Sequence, residues 1–462
     1  MVIAAKFGGS SVKDGATLEH IIDNIILQDS RRRVIVLSAP GKLESNDIKV
    51  TDLLIELGNS YYKSKQYPEK PVEKIRSRFY DIVDHFGIER HFLYSQFGSL
   101  SRAIIKNNSN IDEYLDGIKP YGEIINSEIA AEVLRRKGIN AKVYRPENIG
   151  MEIDGNFGNA KLKESSYQKI AENLKPVLEE TGEIIIVPGF YGINESGNFT
   201  TFQRGGSDLS GAILANAVDA ELYENWTDKE GILRADPRII DNPNIIRNMT
   251  YREARELAYS GAEILHPDTL IPLIDKGTLL HVRNTFNPRN EGTYISSNKE
   301  PNGNVVEGIA HKQGFTVLYM EKTGMNEEIG YLSRLTKIFD DNKVSIDQIT
   351  TGIDSVSIAV ASNGHNRNIN AVRDEIINAG LVNDPNDVEV GYDKSLVCVV
   401  GEGMRHTPGV FEKVSGALAS KKINIETIYQ ASERSIIFGL DQKDAVNAVK
   451  AIYNLFFGNT TK

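Results

Sequence analysis

The chain has 462 residues, of which 40% are hydrophobic and 25% charged, and its 53 basic against 63 acidic side chains give a formal net charge of −10. That length implies roughly three domains of ordinary size, and the composition excludes a disordered or fibrous protein. The acidic balance argues against nucleic acid or an anionic membrane as a general partner, so an anionic ligand needs a locally basic pocket. The single cysteine, Cys398, lies in the apolar run SLVCVV; this excludes a disulfide framework and marks a packed core residue rather than a nucleophile. The sequence shows no signal-peptide pattern and no apolar run long enough to span a bilayer, so a cytoplasmic location is expected.

The chain opens with VIAAKF, a short buried strand over residues 2 to 7, after which Leu18, Ile21, Ile22, Ile25 and Ile26 recur at helical spacing. Gly8, Gly9, Ser10 and Ser11 therefore fall between a strand end and a helix start. Glycines there let a ligand approach the backbone, and free N–H groups with the helix dipole favour an anion, with Lys6 as counter-charge to a phosphate. A plain tight turn beside an exposed lysine fits this fragment equally well, because short glycine motifs recur by chance. Strand-like runs follow at 34–39, 141–144, 184–190, 221–226 and 279–284, alternating with helical patterns. Residues 1–283 thus read as an α/β domain, a mostly parallel sheet with helices on both faces and ligands at the carboxyl ends of the strands. The stretch 284–308, rich in Asn, Gly and Pro, is read as a linker, within which TYIS could form a short strand.

An internal repeat lies beyond it. GYLSRLTKIFDDNKVSIDQI from Gly330 aligns with GVFEKVSGALASKKINIETI from Gly409, an offset of 79 residues. FTVLYM (315–320) falls opposite SLVCVV, and VSIAV (356–360) near SIIFGL (435–440). Each copy reads as a ferredoxin-like βαββαβ unit of the α+β class, the first over 309–390 and the second over 391–462, with the return of the last segment to the first unit as an alternative pairing. Neither copy carries a metal-ligand cluster or an acid–base pair, which suggests regulation or assembly; pure structural packing is the plainer reading.

Two further clusters carry chemistry. In GNFTTFQRGGSDLSGA, Arg204 can grip a carboxylate through two parallel hydrogen bonds, the glycines keep the backbone clear, and Asp208 can orient an ammonium group. In NWTDKEGILRADPRI, Thr227 and Asp228 could meet a ribose or adenine and Arg238 a phosphate, although ADPR also reads as a proline turn.

In this order the clusters resemble the aspartokinases of the amino-acid kinase superfamily, from end to end of the chain. KFGGSSV is similar to that family's opening signature, and YGEIINSEIAAEVL, PGFYG, RGGSDLSG, WTDKEGILRADPR and GAEILHPDTL resemble its later blocks. The doubled C-terminal unit resembles tandem ACT modules, with KVSIDQITT particularly typical. No homoserine dehydrogenase segment follows, so the resemblance is to the monofunctional enzymes.

The resemblance implies that Lys6, Gly8, Gly9 and Ser10 hold the ATP phosphates and that Thr51, Glu123, Phe190 and Arg204 shape an aspartate pocket. It places Ser207 and Asp208 beside the transferring phosphoryl group, makes Lys6 and Asp208 the catalytic pair, and sets Thr227, Asp228 and Arg238 near the nucleotide. Three positions depart from the pattern: Gln203 stands where a glycine is usual, Leu233 where a tyrosine often meets adenine, and Glu263 where a lysine often faces the nucleotide.

The implied reaction moves the γ-phosphate of ATP onto the β-carboxylate of L-aspartate to give 4-phospho-L-aspartate, the first step toward lysine, threonine and methionine. A carboxylate ionised at neutral pH needs no general base, consistent with a site lacking a catalytic histidine. Mg²⁺ is expected as the ion on the phosphates, with no dedicated protein cage, and GxxxxGK[ST] is absent. Kinases of glutamate or N-acetylglutamate, and a ligand sensor without catalysis, are the rivals. The resemblance further implies feedback inhibition by L-lysine, or alternatively L-threonine, at Met325, Tyr331, Leu332, Ser345, Ile346 and Asp347. It also implies a homodimer or homotetramer formed through the ACT-like units.

Overall fold

The computed structural model describes residues 1–106, 108–203, 205–262, 265–300, 303–362 and 368–458. Arg204 and Glu263, both singled out above, lie outside the described residues. The chain divides into two compact units, one of residues 1–232, 247–251 and 265–299, the other of 233–246, 252–264 and 300–462.

In chain order the strands of the first unit are β1 (Ile3–Phe7), β2 (Arg32–Leu37), β3 (Ala141–Val143), β4 (Ile153–Asn156), β5 (Asn159–Leu162), β6 (Ile184–Pro188), β7 (Tyr191–Ile193), β8 (Phe199–Thr201) and β9 (Leu222–Thr227). After two very short strands that pair with each other and are not part of this series, β10 (Ile232–Leu233) and β11 (Ile245–Ile246), the strands β12 (Asn248–Thr250), β13 (Leu279–Asn284) and β14 (Thr293–Ser296) complete it. Eight of these form one sheet in the order β12-β14-β13-β9-β1-β2-β6-β3, parallel throughout except where β13 meets β14.

The central strands are continuous apolar runs because both faces of the sheet are covered. Ala5, Phe7, Ile35, Leu37 and Ile186 join Leu18, Ile21, Ile22, Ile125 and Ile129 in a core on one face. Their alternating neighbours Ala4, Val34, Val36, Ile185 and Val187 are just as fully buried on the other. From β1 the chain continues to β2 on one side, while β9 flanks it on the other, so the strand order reverses at β1. At such a switch point a crevice opens at the carboxyl ends of the strands. Two antiparallel hairpins, β4–β5 and β7–β8, lie outside this sheet.

The second unit is built on a six-stranded antiparallel sheet of β15 (Gly308–Glu321), β16 (Gln348–Thr351), β17 (Ser355–Ala361), β18 (Val388–Val400), β19 (Thr427–Ser432) and β20 (Ser435–Asp441), in the order β16-β17-β15-β18-β20-β19. The repeat read from the sequence is present, with one difference in how its strands are shared. Residues 308–313 of β15 pair with 395–400 of β18, and 315–320 pair with 388–394. Gly314 sits between the two halves at φ 77°, where the register shifts. The trailing half of β15 packs with helices Tyr331–Asp341 and Ile369–Asn378 around Leu318, Met320, Leu335, Phe339 and Val372. Ile309, from the leading half, packs instead with Val397, Val414, Phe438 and Val449 beneath helices Val410–Ser420 and Ala445–Phe457. The fourth strand of the second ferredoxin-like unit therefore comes from ahead of the first unit, while the last helix, Ala445–Phe457, packs in the second unit. Cys398 is buried in this sheet, and burial pushes its thiol up to about 12, as suits a core residue.

Among the described residues no helix is long and apolar enough to cross a membrane.

Candidate active site

The crevice at the carboxyl end of β1 is a cavity of about 1050 Å³. It is lined by Lys6, Gly8, Gly9, Ser10, Thr51, Glu123, Phe190, Ser207, Asp208, Thr227 and Asp228, residues drawn from six separate stretches of sequence. Lys6, the last residue but one of a wholly buried strand, is itself only 7% exposed and pairs in register with Asn225 of β9. Its Nζ lies 2.5 Å from Asp208 Oδ1, and the same oxygen accepts a 2.8 Å hydrogen bond from Asn225 Nδ2. Tyr223 Oη donates to the backbone carbonyl of Asp208 at 2.9 Å. Asp208 lies in the first turn of helix Gly206–Ala217, and the second oxygen of its carboxylate has no hydrogen-bond partner among the described residues.

The glycine loop approaches its neighbour closely enough to explain its composition. Gly41 N donates to Gly9 O at 2.9 Å, and a Cβ added at Gly9 would lie 2.9 Å from Ala39 O. Any larger residue would separate the two loops that form this wall of the cavity. Ser11 carries the anchoring instead, its hydroxyl 2.6 Å from that of Thr285.

Glu123 is the most perturbed group in the cavity. It is 4% exposed, and burial pushes its carboxyl up to about 8 against the opposing hydrogen bonds of the Ala39 and Glu123 backbone N–H groups. Its Oε2 has no hydrogen-bond partner. A buried acid with an open oxygen in a cavity is a receptor for a cation. Phe190 has φ 82°, unusual for an aromatic residue, and is held there by a hydrogen bond from its N–H to Ser210 Oγ at 3.0 Å and by Phe202 N donating to its carbonyl at 2.9 Å.

The structure brings together every described residue of the phosphate and aspartate clusters, but not Arg238. Arg238 does not line the cavity; its guanidinium is held by Asp236 at 2.7 Å. Leu233 does not line it either, whereas Phe286, not singled out from the sequence, does. Gln203, at the position where the family usually has glycine, donates from Nε2 to Asn159 Oδ1 at 2.6 Å and so ties its loop to the β4–β5 hairpin. Among the described residues no cluster of three or more His, Cys, Asp or Glu is arranged to hold a metal ion.

Of the regulatory candidates, Met325 and Tyr331 are buried in the core of the first ferredoxin-like unit, and Tyr331 Oη donates to Leu381 O at 2.8 Å. Leu332 and Ser345 are exposed, and Ile346 is half-buried. Asp347 accepts from Ala361 N at 2.8 Å and lies 3.6 Å from Lys312 Nζ.

Residues 1–284 match the model of the amino acid kinase family, and residues 397–456 match that of the ACT domain. Aspartokinase 3 of Bacillus subtilis (strain 168) is 35% identical over 455 residues, covering 98% of both chains. Among solved structures, Clostridium acetobutylicum aspartate kinase superposes with a TM-score of 0.84 at 34% identity, over 98% of this chain and 100% of that one. Escherichia coli aspartokinase III in complex with aspartate and ADP gives a TM-score of 0.79 at 26% identity over 99% and 100% of the two chains. Its complex with lysine and aspartate gives 0.74 at 27% over 99% of each.

The chain thus belongs to the amino acid kinase family. Its fold is that family's mostly parallel sheet followed by an ACT region. Within the family it is an aspartate kinase, a phosphotransferase that uses ATP.

Proposed function

We propose that the enzyme forms 4-phospho-L-aspartate, the entry to lysine, threonine and methionine synthesis, with the cavity at the end of β1 as its active site. The observation that carries this reading is the pairing, in one cavity, of an inward-facing Lys6–Asp208 unit with a buried Glu123 whose second oxygen lacks a partner. An oxygen of the β-carboxylate attacks the γ-phosphorus, the bond from phosphorus to the bridging oxygen breaks, and ADP leaves with that oxygen's negative charge. No proton has to be removed from the acceptor. The work left to the protein is to hold two anions together and to stabilise charge on the phosphoryl oxygens.

Lys6 supplies positive charge at the strand end, oriented by Asp208, and the backbone N–H groups of Gly9 and Ser10 face the phosphates, while that of Gly8 donates to the Trp226 carbonyl at 3.1 Å and fixes the loop. Glu123 receives the acceptor's ammonium. Phe190, Thr51 and Ser207 shape its pocket, with Arg204 on the carboxylate. Thr227 and Asp228 lie toward the nucleotide. Mg²⁺ fits as the ion of the nucleotide: the open oxygen of Asp208 would offer it one carboxylate ligand, and the ion would supply positive charge to the phosphates. Trapping the acyl phosphate with hydroxylamine across a panel of acidic amino acids tests the assignment. Aspartate hydroxamate is the expected product; a preference for glutamate or N-acetylglutamate would overturn the reading.

We further propose that L-lysine inhibits the enzyme through the first ferredoxin-like unit, a reading supported by the lysine complex of the E. coli relative. In this reading the effector's ammonium takes the place of Lys312 beside Asp347. The copies assemble as a dimer or tetramer through these units, a proposal supported by the exposed side chains of Ile329 and Ile353. Measured in the wild type, lysine is expected to weaken aspartate or ATP binding by roughly 5- to 150-fold. Asp347→Ala should lose that response. A wild type that answers to threonine and not to lysine would overturn the assignment of the effector.

A further inference from the structure

Four residues before Glu123, on the turn that leads into helix Tyr121–Arg136, Lys119 also lines the cavity. Its side chain is 16% exposed, and its Nζ lies 2.6 Å from Asp116 Oδ1. Asp116 has no exposed surface and is fully engaged: Oδ1 also accepts from Thr201 Oγ1 at 2.8 Å, and Oδ2 accepts from Gly158 N at 2.7 Å and Thr201 N at 2.8 Å. This carboxylate therefore fixes three pieces of the cavity wall at once: the turn of the β4–β5 hairpin, the end of β8 and the ammonium of Lys119. An ammonium has three N–H donors, and Asp116 is the one hydrogen-bond acceptor that Lys119 Nζ has among the described residues. A cation fixed in a cavity with donors to spare is matched to an anionic ligand group.

We infer that Lys119 is a further binding residue of the reaction, contacting the α-carboxylate of the acceptor amino acid, and that Asp116 is the positioning residue that aims it. The inference rests on the aspartate-kinase reading of the cavity and extends it. In an amino acid the ammonium and the α-carboxylate share one carbon, and Glu123 and Lys119, four residues apart in sequence and both lining the cavity, offer the two opposite charges they require. The reacting carboxylate belongs at the other partner set, Lys6 and Asp208, where the phosphoryl group is transferred. Asp116 holds the Lys119 ammonium before substrate arrives, so less side-chain freedom is lost on binding.

Steady-state kinetics of Lys119→Gln, Lys119→Met and Lys119→Arg test this. Gln keeps a donor to Asp116 and removes the charge, so it separates the charge from the structural tie; Met removes both. The expected result is a KM for aspartate raised about 10-fold or more in Gln and Met, a KM for ATP within about twofold of wild type, and recovery of most of the loss by Arg. Should Met fail to fold, Gln and Arg decide the question alone. An unchanged KM for aspartate in Gln, or an equal rise for ATP, would overturn the inference while leaving the aspartate-kinase reading in place. Failure of the wild type to phosphorylate aspartate in the same assay would overturn that reading itself.

Discussion

Lys6→Met is expected to lower turnover by at least ~100-fold at saturating ATP, aspartate and Mg²⁺, while the protein keeps its fold. The size of the effect follows from where the charge sits. Lys6 is nearly buried near the end of a central strand, and its partner Asp208 keeps it aimed. Charge so placed counts most when negative charge spreads over the phosphoryl oxygens, so the loss should fall on kcat more than on either KM. The fold is expected to survive because Asn225 still donates to Asp208 in the variant. Turnover near the wild-type value, with a normal thermal transition, would remove Lys6 from the catalytic group.

Glu123→Gln should raise the KM for aspartate by roughly 10- to 150-fold, the range for losing a charge-assisted contact of ~1.5–3 kcal/mol. It should also change how the enzyme answers to pH. With its carboxyl pushed up to about 8, Glu123 in the free enzyme carries a proton below that pH and must release it to receive an ammonium. Wild-type aspartate affinity is therefore expected to rise with pH up to about 8 and then level off, a slope absent from the Gln variant. Stability runs the other way. Below the ordinary value of 4.5 the group is protonated in both folded and unfolded chains; between there and about 8 the unfolded chain releases the proton and the folded one retains it, so stability falls as pH rises. Thermal transitions measured across this range should show a steeper decline for wild type than for Glu123→Gln, and parallel curves would contradict the assignment.

The parallel sheet was legible because its central strands are almost wholly apolar: IAA, VIVL and IIIVP can be buried only between two layers of helices. The glycine loop of the cavity was legible because lysine, glycines and hydroxyls fall at one strand end. What could not be read depends on pairings between residues far apart in the chain. Lys119 stands before a proline and looks like a solvated surface residue until Asp116, Thr201 and Gly158 are brought around it. Gln203 looks like a flaw in a glycine-rich motif, and its use becomes clear only when Asn159 comes within 2.6 Å. Arg238 has a partner that the sequence reading did not assign to it. Its motif is plain in sequence, yet Asp236, two residues earlier, holds the guanidinium. The leading half of β15 was hidden for a related reason. His311, Lys312 and Gln313 break its apolar pattern, and partners more than 80 residues later make it a strand.

That late partnership bears on how the protein is made. A ribosome releases residues 308–313 long before 395–400, so this backbone segment must wait, with its N–H and C=O groups unsatisfied by a sheet, while the whole of the first ferredoxin-like unit is synthesised. Cutting the chain between the two units would leave it waiting permanently, as an open strand edge able to recruit other chains. The repeats look like modules in the sequence, but they cannot be excised, swapped or expressed one at a time without breaking a strand that both of them need.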